Sequence, residues 1–143
     1  MNRNIVIITS NELRHIFLYK SLSLLNLKDN FFVFKEENKF NQLNISKTSN
    51  EFIKKHFLLR KRYEEDFFLN YNYFDPPNCK IFKIKYREIN LSKNINKIKK
   101  INPKYIISFG SSILSENFLK IFNNKSINVH LGISPYYRGA GTN

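Results

Sequence analysis

Continuous apolar runs alternate along this chain with stretches in which apolar residues recur every three or four positions. Asn4-Ile5-Val6-Ile7-Ile8-Thr9 is unbroken and β-branched, the pattern of a strand covered on both faces. Ser10 or Asn11 can cap a helix from Glu12 to about Leu25, with Leu13, Ile16, Phe17, Leu24 and Leu25 as its apolar side. Phe31-Phe32-Val33-Phe34 predicts a second strand, so the chain opens β-α-β. Lys35 to Lys47 is polar and predicts a loop. Thr48 or Ser49 can cap a longer helix, about Glu51 to Leu69, whose apolar line is Phe52, His56, Leu59, Tyr63 and Phe67. Asp75-Pro76-Pro77-Asn78 breaks the chain. Lys80 to Lys85 alternates polar and apolar residues and predicts a third, more exposed strand. Ser92 to Ile101, with Ile95, Ile98 and Ile101, predicts an amphipathic helix ended by Asn102-Pro103. A buried strand follows, Tyr105-Ile106-Ile107-Ser108-Phe109, then a tight loop, Gly110-Ser111-Ser112. Ser115 caps a short helix from Glu116 to Phe122, and Ser126 to His130 is the last strand. Strands that alternate with helices imply an α/β fold with a mostly parallel sheet.

Composition narrows this picture without redirecting it. The 143 residues suit one domain, and 42% hydrophobic with 15% aromatic content argues against disorder. No apolar run approaches the ~18 residues of a membrane helix, and the opening run reads as a strand, not a signal peptide. One cysteine, Cys79, excludes an internal disulfide and a cysteine-rich metal site, and no metal is expected. A cytoplasmic protein is expected. The net charge of +13 invites a nucleic-acid reading, but the lysines are spread along the chain. Asn, Lys, Ile and Phe are abundant and Ala140 is the only alanine, a skew expected of an AT-rich genome. The basic surface is read as solvated lysine, and its field favours anionic small molecules such as nucleotides or folates.

Ligands of open α/β sheets bind beyond the carboxyl ends of the strands. In Ile127-Asn128-Val129-His130 an extended backbone turns Asn128 and His130 to the same face. An amide donor and an imidazole converging there suit a developing oxyanion, and the imidazole can move a proton near neutral pH. The same pair can equally cap backbone groups at a strand end. Beyond it, Gly132 permits unusual backbone angles, Pro135 stiffens the turn, and Arg138-Gly139 offers a fork for an anion or a tether for the loop. Arg14 and His15 lie near the N-terminus of the first helix, where an anion is favoured. Solvated arginine and packed histidine are the alternative.

The stretch INVHLGISPYYRG resembles the signature of the 10-formyltetrahydrofolate-dependent formyltransferases, N-x-H-x-(S/G)-x-x-P-x-(Y/F)-R-G, matching at Asn128, His130, Pro135, Arg138 and Gly139. The preceding FGSSILSENFLKIF resembles that family's folate loop and helix. The resemblance is close from Tyr105 to Asn143 and architectural before that. It implies a Rossmann-like three-layer sandwich, here incomplete on its C-terminal side: the N-terminal portion of a formyltransferase catalytic domain over residues 1–143. It also implies transfer of a formyl group from 10-formyltetrahydrofolate to a primary amine. Asn128 and His130 would stabilise the oxyanion, and Gly110, Ser112, Ile113 and Leu114 would hold the pterin. Arg14, His15, Arg138 and Gly139 would face the substrate. The aspartate that completes the family's site is expected beyond Asn143. Thr9 to His15 lacks both a glycine-rich phosphate loop and a G-T-P-x-F stretch. NELRH followed by a long helix containing KKHFLLRKRYEEDFF resembles more the formyltransferases that act on amino sugars or other small amines, which implies an amino-sugar nucleotide of cell-surface glycan synthesis as the amine. A methionyl-tRNA formyltransferase-like enzyme is the alternative, as is an inactive remnant or basic binding module. Neither membrane nor nucleic-acid binding is expected, tRNA in that alternative excepted.

Overall fold

The computed structural model describes residues 3–37, 50–72 and 74–130. Their strands are β1 (Asn4–Ser10), β2 (Asn30–Glu37), β3 (Cys79–Lys85), β4 (Tyr105–Phe109) and β5 (Ser126–Asn128). All pair in parallel in one five-stranded sheet of order β3-β2-β1-β4-β5. The helices are α1 (Leu13–Leu25), α2 (Glu51–Phe68), α3 (Ser92–Ile101) and α4 (Glu116–Ile121), with single 3₁₀ turns at Leu69–Tyr71 and Glu88–Asn90.

The alternation of β1 divides the core. Val6 and Ile8 join Phe34, Ile106, the α3 residues Ile95 and Ile98, and Phe118 of α4. Ile7 turns the other way and joins Val33, Phe31 and Tyr19 of α1. Helices on both faces of a parallel sheet explain why β1 is apolar at each step from Ile5 to Ile8: neither face meets water.

Several expected boundaries and faces are corrected. β2 continues through Lys35, Glu36 and Glu37, because each pairs with β1, β3 or both. The expected last strand ends at Asn128, although the Val129 amide still donates to the Ser108 carbonyl at 2.8 Å. Glu12, not Ser10 or Asn11, stands at the N-cap of α1, without a side-chain cap. The side of α1 that is buried holds His15, Tyr19, Lys20 and Ser23, while Leu24 and Leu25 are exposed. Asn50 caps α2, its Oδ1 accepting from the Phe52 and Ile53 amides. Thr48 and Ser49 lie outside the described residues. The expected apolar line of α2 faces away: Phe52 is 87% and Tyr63 67% exposed. His56, expected at the edge of the core, is exposed as well. The helix docks on α1 instead through Arg60, Glu64 and Phe68. Ser115 caps α4 as expected, accepting from the Phe118 amide at 3.2 Å.

Candidate functional site

The carboxyl edge of the sheet gathers three groups of residues, each fixed by the strand or helix that carries it. The first sits where β4 and β5 end. Ser108 and Asn128 are register partners. The buried Ser108 hydroxyl donates to Asn128 Oδ1 at 3.0 Å. That contact takes the carbonyl end of the amide and leaves Nδ2, the donating end, pointing elsewhere. Both Asn128 and His130 are exposed. Ser108 was not foreseen from the sequence; its only signal is a hydroxyl inside an otherwise apolar strand.

The second group is the loop from Gly110 to Ser115. Gly110 has φ +64°, in the left-handed region that glycine enters without cost. Ser112 is buried, and both its amide and its hydroxyl donate to Glu36, at 2.6 and 2.7 Å. Asn90 braces the far end: its Nδ2 donates to the Ile113 carbonyl at 2.9 Å, and its Oδ1 accepts from the Ser115 amide at 2.8 Å. Leu114 packs against the core while the Ile113 side chain stands 88% exposed. Among the described residues no partner takes the Ile113 or Leu114 amide. A heteroaromatic ring edge lying against this loop would therefore meet two backbone donors in a braced conformation, which fits a pterin.

The third group surrounds the first turn of α1. Arg14 Nε donates to His15 Nε2 at 3.1 Å, so Nε2 is the accepting nitrogen. Nδ1 therefore carries the proton and donates to Ser10 Oγ at 2.6 Å. In this tautomer Ser10 is held by His15 and not activated by it. The ring lies edge-on to Phe109, its centroid 4.5 Å away. Burial lowers the His15 pKa from 6.5 to about 4, which keeps the imidazole neutral. The phosphate contact expected of His15 is thus corrected, for the ring is enclosed, uncharged and committed at both nitrogens. The Arg14 guanidinium is shared between Glu12, at 2.6 Å, and Glu64. Arg60 pairs with the same two carboxylates, at 3.5 and 2.8 Å. Arg138 and Gly139 lie outside the described residues. Among the described residues no cluster of His, Cys, Asp and Glu has the make-up of a metal site. No described helix is long and apolar enough to cross a membrane.

The buried histidine gives the fold a pH dependence. Its pKa is near 6.5 unfolded and about 4 folded. The unfolded chain therefore binds the proton first as pH falls. The stabilisation is complete above pH 6.5 and is lost progressively down to about pH 4, by up to about 3 kcal/mol. Denaturant melts at pH 7 and pH 4.5 should show a loss of stability that shrinks in His15→Gln. An equal loss in both chains would assign the acid sensitivity to the carboxylates.

These features define an α/β protein whose candidate site groups collect where strands β1, β2, β4 and β5 end. No family model matches the chain, and no curated protein does. Solved structures do. Phosphoribosylglycinamide formyltransferase from Anaplasma phagocytophilum superposes with a TM-score of 0.55 at 14% identity, over 98% of this chain and 55% of that one. The phosphoribosylglycinamide formyltransferase of Coxiella burnetii gives 0.48 at 14% identity, over 96% and 55%. The first likeness identifies the fold as the Rossmann-like fold of that formyltransferase, of whose length the chain spans 55%.

Proposed function

We propose that this chain carries the donor-binding half of a site that moves a formyl group from 10-formyltetrahydrofolate to a primary amine, an amino-sugar nucleotide. The observation that carries the reading is the pairing of β4 with β5. It sets Asn128, its amide oriented by Ser108, opposite a residue that lies two positions before Gly110 and the braced loop. The folate supplies the activated formyl carbon. The chain's own groups contribute as follows. The Ile113 and Leu114 amides and Gly110 and Ser112 of the loop hold the pterin. Asn128 Nδ2 donates to the formyl oxygen as negative charge grows on it when the amine adds. His130 takes the proton that the amine must lose, or shares in stabilising the oxygen. Arg14, Arg138 and Gly139 face the substrate, and His15 supports the site from below.

The start of α1 bears on which amine is used. A helix N-terminus attracts anions. Here Glu12 and Arg14 at that end belong to a network of two guanidinium and two carboxylate groups that sums to zero. This disfavours a phosphate cradled at the α1 turn and suits polar hydroxyls, as a sugar presents. The chain, incubated with 10-formyltetrahydrofolate and a panel of amino-sugar nucleotides, should release tetrahydrofolate and yield an N-formyl sugar. Formylation of methionyl-tRNA in place of the sugars would move the substrate assignment. No binding of the folate at all would overturn the reading.

A further inference from the structure

Glu36 is the least expected group at this edge. It is the last residue but one of β2, a carboxylate only 1% exposed, between Ser10 of β1 and Ile84 of β3 in register. An isolated buried carboxylate is costly unless its lone pairs are filled by donors. Here they are. One oxygen accepts from the Ser112 hydroxyl at 2.7 Å and the Arg87 amide at 3.0 Å; the other accepts from the Ser112 amide at 2.6 Å. The donors come from two connections, one after β3 and one after β4. Those strands do not touch, for β2 and β1 lie between them. Arg87 itself has φ +68°, a left-handed conformation that non-glycine residues hold only where surrounding contacts require it.

We propose that Glu36 is the positioning residue of the folate-binding loop: its carboxylate ties the β4 loop, through Ser112, to the β3 turn, through Arg87, and so sets the Ile113 and Leu114 amides for the pterin. This rests on the formyl-transfer reading above. Within that reading it separates two jobs of one loop. The Ser112 amide is taken by Glu36, while the next two amides have no acceptor among the described residues and are left for a ligand. The carboxylate touches neither substrate nor reacting atoms. Its effect is on donor affinity.

Glu36→Gln tests the proposal. A carboxamide has one accepting oxygen and one donating nitrogen, so an N–H must oppose one of the Glu36 donors. The probe is 5-formyltetrahydrofolate, a stable isomer of the donor. Its Kd, read by calorimetry on the whole chain, should rise about tenfold or more in E36Q. Amide exchange at Ser112 and Arg87 should quicken while the β1 and β4 amides keep their wild-type protection. A merely structural carboxylate would instead lower protection throughout the core. Ser112→Ala, which keeps the amide contact and loses only the hydroxyl, should fold even where E36Q does not, and should weaken binding less, by about threefold. Wild-type binding matched by both variants would overturn the clamp alone. Failure of the wild-type chain to bind the folate would overturn the formyl-transfer reading, and the clamp's role with it.

Discussion

Gly110→Ala is expected to be the most destabilising single change among the described residues. A Cβ on Gly110 would stand 2.0 Å from His15 Cε1, 2.4 Å from Nε2 and 2.5 Å from Nδ1. These are not approaches that a long side chain could relieve by swinging aside. The ring is buried, fixed by Ser10 and Arg14, and backed by Phe109. Either the ring leaves its pocket, with its hydrogen bonds, or the loop lifts off α1. The φ of +64° adds a second penalty, since a residue with a Cβ is strained there. Overpacking and left-handed strain together amount to about 2–5 kcal/mol. For a chain of this size that is a drop in melting temperature on the order of 10–15 °C. The cause can be isolated. Gly110→Ala combined with His15→Ala should lose clearly less than the sum of the two single changes, because the second removes the obstacle met by the first. A Gly110→Ala chain that melts within a degree or two of the wild type would show that the ring and the loop are not in this contact.

That contact also shows what the sequence makes legible and what it hides. The strands β1 and β4 announce themselves because covering both faces favours unbroken apolar runs, Ile5 to Ile8 in one and Tyr105 to Ile107 in the other. The loop after β4 and the strand that carries Asn128 are legible because the patterns there are local. The faces of α1 and α2 are not. The buried residues of α1 include Lys20 and Ser23, made tolerable by the Asn72 and Lys20 carbonyls. Hydrophobic periodicity has no means of knowing that such acceptors exist. On α2 the periodicity finds a real apolar line, but ion pairs to Glu12 and Arg14 decide which side docks. Lys61–Glu65 and Arg62–Asp66 are the solvated i,i+4 pairs that the charge pattern suggests. Arg60 and Glu64, from the same run, turn inward. The residues that prepare the site are the hardest to see. Ser108 meets its partner 20 positions on, and Glu36 meets Ser112 across 76. A lone serine in a strand, or a glutamate in a polar run, carries no mark of such distant use.

Asn128→Ala should lower formyl transfer by about 10²- to 10³-fold, the usual loss when one preorganised oxyanion donor is removed, with a much smaller change in folate affinity. The reasoning is that the donor is useful only once charge has developed on the formyl oxygen, so its loss falls on kcat more than on binding. Ser108→Ala leaves the donor in place but frees it to turn, and a loss of about tenfold is expected, between wild type and N128A. Asn128→Asp separates chemistry from architecture. The substituted side chain keeps an oxygen for the Ser108 hydroxyl, so a purely structural asparagine would tolerate the change. A carboxylate facing a developing oxyanion is repelled by it, and it offers no N–H in place of Nδ2. N128D should therefore fold like the wild type, with melting unchanged to within a few degrees, and yet transfer formyl no faster than N128A. If N128D instead retains most of the transfer rate, the amide is a strand-end cap, and the oxyanion must be sought elsewhere on this edge of the sheet.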